Sequence, residues 1–142
     1  MLQERGEYLY GDDASDIAAF LRYSWPFELA RFDAIVVNGQ PCLIVWVNVD
    51  AGALAVSRKD DPANALSFVA GCEDRWSSRD SRRMICGCGS DVHEVGVGRQ
   101  LDEAGRDVWI VTGTRCPHCG ILASPVDWNV GGDRGSSSQK PK

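Results

Sequence analysis

The chain has 142 residues, 44% of them hydrophobic and 25% charged, and a formal charge of −5. That is enough apolar material for the core of one domain, while the longest apolar runs, such as residues 43–47, fall far short of the roughly 20 needed to cross a membrane as a helix. The charge is uneven: residues 1–71 hold ten acidic and five basic side chains, residues 72–142 ten of each. Nonspecific nucleic-acid affinity is mostly phosphate neutralisation, so this balance disfavours nucleic acid and suits solubility or a basic protein partner.

Gly11-Asp12-Asp13 is a turn and helix-start signal. After it, Ile17, Phe20, Leu21, Ser24 and Trp25 recur at helical spacing and predict a helix with one mostly apolar face. Pro26 stops that helix and opens a short second one through Phe27 and Leu29 to Phe32. The pattern then turns extended, with a strand over 33–37, a tight turn at Asn38-Gly39 and a strand over 42–49. A turn at 50–52 precedes a third strand over 53–57. Asp61-Pro62 then caps a predicted helix over 63–70, closed by Gly71. Residues 72–84 break the apolar periodicity and read as a connector. Beyond it, 91–99 and 107–112 form a second predicted hairpin, turning at Asp102-Glu103-Ala104-Gly105. The stretch from Gly131 has almost no apolar content and is expected to be a mobile tail.

The cysteines carry the most specific signal. Six of them stand in a chain whose first residues show neither the basic start nor the apolar stretch of a secretory signal. A cytoplasmic location is therefore the expectation, and there thiols stay reduced and serve metal binding or thiol chemistry. The segment CGCG, residues 86–89, and the segment CPHCG, residues 116–120, flank the second hairpin. A hairpin brings two short cysteine pairs together at its open end, and glycines beside each pair allow tight bends. Zinc takes four such sulfurs in a tetrahedron. The arrangement resembles the zinc-ribbon group, whose members carry a cysteine pair on each of two knuckles joined by strands. CPHCG matches the usual knuckle, while CGCG has one intervening residue where two are usual. Over about residues 85–125 the resemblance implies one structural Zn²⁺ held by Cys86, Cys88, Cys116 and Cys119. It implies little about activity. His93 or His118 is an alternative to one of the cysteines as ligand. Cys42 reads as a core residue, and Cys72 has no evident partner.

Cys-Pro-His-Cys is also similar to the redox motif of thioredoxin-like disulfide oxidases, which would make Cys116 an attacking thiolate. That motif has to open a helix, but Gly120, Ser124 and Pro125 follow it. Only 23 residues remain after the motif, too few for the sheet of that fold. It would also leave CGCG without a role.

The remaining candidates are weaker. Asp91 and Glu94 near His93 look like an oriented base, yet no nucleophile accompanies them, and an exposed strand histidine is the expectation. Arg75, Arg79, Arg82 and Arg83 fall at helical spacing beside Trp76, a stripe that a helix would present to phosphate or an acidic partner. A solvated connector explains them too. Gly96-Val97-Gly98 lacks the spacing of a phosphate loop and points to close packing or a bulge. Trp128, with Trp109, either packs over the ribbon or offers a protein-binding patch.

Together these readings give an α+β protein of antiparallel hairpins, two or three short helices and a C-terminal zinc ribbon. Its parts are 1–71, a connector over 72–84, a ribbon-like part over 85–130 and a tail over 131–142. The expected class is a non-enzymatic binding or adaptor module for a protein partner, an inhibitor or immunity-type protein being one subtype. A thiol-disulfide oxidoreductase using Cys116 and Cys119, and a nucleic-acid-binding ribbon using the 75–83 cluster, are the alternatives. The candidate interaction surface is Arg75, Trp76, Arg79, Arg82, Arg83 and Trp128.

Overall fold

A computed structural model describes residues 1–25, 27–48, 52–61, 64–66 and 76–130. Among them are one helix, α1 (Ser15–Ser24), and ten strands. The strands are β1 (Gln3–Arg5), β2 (Tyr8–Tyr10), β3 (Arg31–Ile35), β4 (Cys42–Asn48), β5 (Ala53–Ser57), β6 (Arg82–Arg83), β7 (His93–Leu101), β8 (Asp107–Arg115), β9 (Leu122–Ala123) and β10 (Asp127–Asn129). The α+β expectation with two or three helices is therefore corrected: the described residues are mostly β, and eight of the strands form one sheet.

The long hairpin β7–β8 is the spine of that sheet, in one register from Glu94 opposite Arg115 to Gln100 opposite Trp109, with a shift before Leu101 meets Asp107. On its far edge β7 pairs first with β4, at residues 93 and 94, and then with β3, at residues 95–99. β4 in turn carries β5 along one edge and β6 beside Trp46 and Val47. β8 carries β9 and β10. Strands from 31–57 and from 93–129 thus share one ladder, and Arg82–Arg83 of the connector belong to it.

Alternation divides the side chains between two cores. Leu43, Val45, Leu54, Val56, Val95, Val97, Ile110 and Trp128 fill one. Ile17, Leu21, Trp25, Leu29, Trp109, Val111 and Leu122 fill the other, beneath α1. The helix lies against a part of the sheet without side chains. A Cβ on Gly113 would stand 2.7 Å from Ile17 Cγ2, one on Gly98 2.9 Å from Leu29 Cδ1, and one on Gly96 would overlap the edge of the Phe32 ring at Cζ. Gly96 and Gly98 are there because a helix and the 27–32 segment rest on them.

That packing also explains the missing second helix. Leu29 is buried and Phe32 half-buried against the glycine face. The Ala30 N–H donates to the Arg99 carbonyl at 2.8 Å, drawing the segment into the extended run that becomes β3. Tertiary contacts here outweigh local propensity. In the predicted 63–70 helix, Leu66 instead exchanges both backbone hydrogen bonds with Val56. Residues 62, 63 and 67–75 lie outside the described residues, as do Pro26, the 49–51 part of the predicted turn and the 131–142 tail. The Asn38-Gly39 turn is present, with both residues at positive φ between Val37 and Gln40, although beyond that bridge β3 pairs with β7 and β4 mainly with β5 rather than with each other.

Gly113→Ala is expected to cost about 1–3 kcal/mol, because the new methyl group must displace Ile17 and Leu21 of a packed helix. Urea unfolding of the two proteins checks it.

Candidate metal centre

β7 begins at His93 and β8 ends at Arg115, so the chain leaves the ladder on both legs at the same end. Each leg then makes a tight turn built on a cysteine. The Gly89 N–H donates to the Cys86 carbonyl at 2.8 Å, and the Cys86 N–H to Ser90 at 2.9 Å. On the other leg the Gly120 N–H donates to the Cys116 carbonyl at 2.8 Å, and the Cys116 N–H to Ile121 at 3.0 Å. The first turn closes one residue sooner, which absorbs the shorter spacing of CGCG. Gly89 and Gly120 stand at φ of 99° and 88°, where a side chain would be strained.

These turns bring the ligating atoms of Cys86, Cys88, Cys116 and Cys119 all within 4.8 Å of one another. Cys86 Sγ is 3.5 Å from Cys119 Sγ, and Cys88 Sγ is 3.6 Å from Cys116 Sγ. A disulfide requires about 2.05 Å. The edge of a tetrahedron whose centre lies 2.3 Å from each sulfur is about 3.8 Å, so both contacts suit a tetrathiolate metal site. Among the described residues this is the one set of three or more His, Cys, Asp or Glu side chains placed to hold a metal ion. The histidines are not members of it. Cys116 is wholly buried and Cys86 nearly so, Cys119 is half-buried, and Cys88 is exposed.

The thiols do not ionise alike. Burial pushes the Cys86 thiol up to about 12 and raises that of Cys119. Burial also opposes ionisation at Cys116, but the backbone N–H groups of Cys119 and His118 and the neighbouring thiols outweigh it and bring that thiol down to about 6. One thiolate is readily formed here, whereas four require a cation among them.

The second turn is tied to the start of α1. Arg115, immediately before Cys116, donates from Nε to the Gly11 carbonyl at 2.8 Å and from one terminal nitrogen to the Asp12 carbonyl at 2.7 Å. Its other terminal nitrogen meets Glu94 at 2.6 Å. The Gly11 N–H returns a bond to the Gly120 carbonyl at 2.8 Å, and Tyr10 bridges Ile121. The sequence reading missed Arg115. Its signal was a strand-end arginine opposite a glutamate, visible only once the register is known.

Several candidates sit elsewhere. His93 is 1% exposed rather than an exposed strand residue, because β4 covers the edge of β7 at that point. Neither of its ring nitrogens has a hydrogen-bond partner. His118 is exposed. Among the described residues the arginines do not form a helical stripe: Arg82 and Arg83 are successive strand residues and face opposite ways. Arg83 pairs with Asp60 and, at 3.1 Å, Asp91, with its guanidinium 5.5 Å from the Trp46 ring centroid. Arg79 and Arg82 are exposed, while Trp76 packs on the first core and Trp128 is inside it. Arg75 and Cys72 lie outside the described residues. Cys42 is half-buried, and burial raises its thiol.

Burial lowers the His93 pKa, with Asp91 opposing. The unfolded chain, titrating near 6.5, takes up a proton that the folded chain refuses, so stability present above about pH 6.5 is lost as the pH falls below it. His93→Leu removes two unpartnered polar atoms and is expected to be as stable as the parent or about 1–3 kcal/mol more stable at pH 7.5. It should also lose less stability between pH 7.5 and 5.5. Denaturant unfolding across that range reads both.

Compared with known proteins, the chain matches no family model, no curated protein and no solved structure.

Proposed function

We propose that this chain is a cytoplasmic, non-enzymatic binding module whose zinc-ribbon-like end is fixed by one structural Zn²⁺ and whose surface recognises a protein partner. The observation that supports it is the convergence of four sulfurs from two turns on the two legs of one hairpin. Zinc suits a set of four thiolates: it is borderline-soft, has no redox chemistry of its own and accepts a tetrahedron. Cys86, Cys88, Cys116 and Cys119 would hold it and leave no position for a reactive water, which weighs against metal-assisted hydrolysis. What the ion supplies is conformational, joining the two turns and, through Gly120 and Arg115, the start of α1.

A basic protein partner follows from the charge of the first half of the chain. An inhibitor or immunity-type role is one form of that reading. The nucleic-acid alternative is weakened because Arg83 is paired with two carboxylates and Arg82 faces away from it. The thiol-disulfide alternative has one supporting observation, the lowered thiol of Cys116. Against it, Cys116 is fully buried and its motif opens a turn and a short strand rather than a helix.

Protein purified without added metal is expected to contain one zinc per chain by elemental mass spectrometry. Cys116→Ala should lose the metal and lower the melting temperature by about 10 °C or more. Metal-free protein that catalyses insulin reduction through Cys116 and Cys119 would replace this reading with the oxidoreductase.

A further inference from the structure

The four sulfurs are equal as ligands but not as surfaces. Cys116 is 0% exposed and Cys86 9%, Cys119 is half-buried, and Cys88 alone is exposed. Cys88 stands between Gly87 and Gly89, where a side chain at either position would meet nothing within 4 Å, so its approach is open. Its thiol contact lies on the other turn: Cys116 Sγ at 3.6 Å. The second contact, Cys86 to Cys119 at 3.5 Å, also runs between the turns. An exposed sulfur with a buried partner already at van der Waals contact is the arrangement in which a first oxidation is trapped as a disulfide rather than carried further.

We propose that Cys88 is a modification site for peroxide, and that its oxidation, resolved by Cys116, ejects the metal and releases the end of the hairpin. The proposal rests on the tetrathiolate reading above. In the first step the Cys88 thiolate attacks one oxygen of hydrogen peroxide. The O–O bond breaks, an S–O bond forms, and hydroxide leaves. Sulfur has lost two electrons and the peroxide has gained them. In the second step the Cys116 thiolate attacks the Cys88 sulfenic sulfur, the S–O bond breaks, an S–S bond forms, and a second hydroxide leaves. Both hydroxides are protonated by solvent. Two of the four ligands are consumed, and the remaining pair binds Zn²⁺ far more weakly. A second peroxide can join Cys86 to Cys119 in the same way. Cys42, half-buried with its thiol raised by burial and outside the four-sulfur cluster, should stay reduced.

This gives the site a regulatory sense. Arg115 and Gly120 tie the second turn to Gly11 and Asp12, so losing the metal loosens the seat of α1 as well as the two turns. Thioredoxin-type reductants and zinc would restore it.

The test treats zinc-loaded full-length protein with hydrogen peroxide. Metal release is followed with a chromogenic chelator, and tryptic peptides are mapped by mass spectrometry. Cleavage after Arg83, Arg99, Arg115 and Arg134 places Cys86 and Cys88 on one peptide and Cys116 and Cys119 on another. The expected result is zinc release together with a cross-link between the 84–99 and 116–134 peptides, and dimedone labelling of Cys88 before any other cysteine. Cys88→Ser is expected to slow release about ten-fold. Should that variant not retain zinc, the order of dimedone labelling in the parent decides. Protein that binds one zinc but resists peroxide, or is first oxidised at another cysteine, overturns the proposal and leaves the tetrathiolate site standing. Protein that never holds zinc overturns both.

Discussion

Four sulfurs from two separate turns meet within one small volume, all within 4.8 Å of one another. Cysteine thiols can pack as small apolar groups, but a set of four with contacts of 3.5 and 3.6 Å between separate turns has a more specific geometry than packing needs. That geometry depends on the β7–β8 register. Were the hairpin to slip by one residue, every side chain would change face. Arg115 would leave Glu94, and Cys116 would be carried away from Cys88. The Asp102 turn at the far end, with its Gly105 at a φ of 82°, and the shift between Gln100 and Leu101 together set this register. A turn some ten residues away along each leg thus decides whether the site exists.

The rest of the molecule is arranged around the same hairpin. Its glycines, Gly96, Gly98 and Gly113, strip side chains from one face so that α1 can lie directly on the backbone. The start of that helix is held by Arg115 and by the mutual contact of Gly11 and Gly120, whose Cβ would stand 2.8 Å from the Gly11 carbonyl oxygen. The ion pair of Arg115 with Glu94 is largely buried, at 11% and 17% side-chain exposure. It carries backbone acceptors as well, which is what makes such a pair tolerable away from water. The cysteine turns and the helix seat are therefore one mechanical unit.

What could be read from the sequence follows from how local the cause is. The cysteine pairs, the Asn38-Gly39 turn, α1 and the strands near 42–49 and 53–57 all have causes within a few residues. The 27–32 segment does not. Phe27, Leu29 and Phe32 suit a helix by composition, but their fate was decided by the bare face of β7, sixty residues later. The same holds for the arginines of 79–83: their spacing suggested a helix, whereas Trp46 and Val47 offered a strand edge and Asp60 and Asp91 a pair of carboxylates. His93 looked polar and exposed because nothing nearby in sequence announces that β4 would cover it.

Everything at the hairpin's open end depends on its donor set. Zinc K-edge absorption spectroscopy on the loaded protein tests it most directly. Four sulfurs near 2.3 Å with no nitrogen or oxygen in the first shell is the predicted result. A shell containing imidazole nitrogen, or fewer than four sulfurs, would mean that another residue completes the site and that the closed tetrathiolate is wrong.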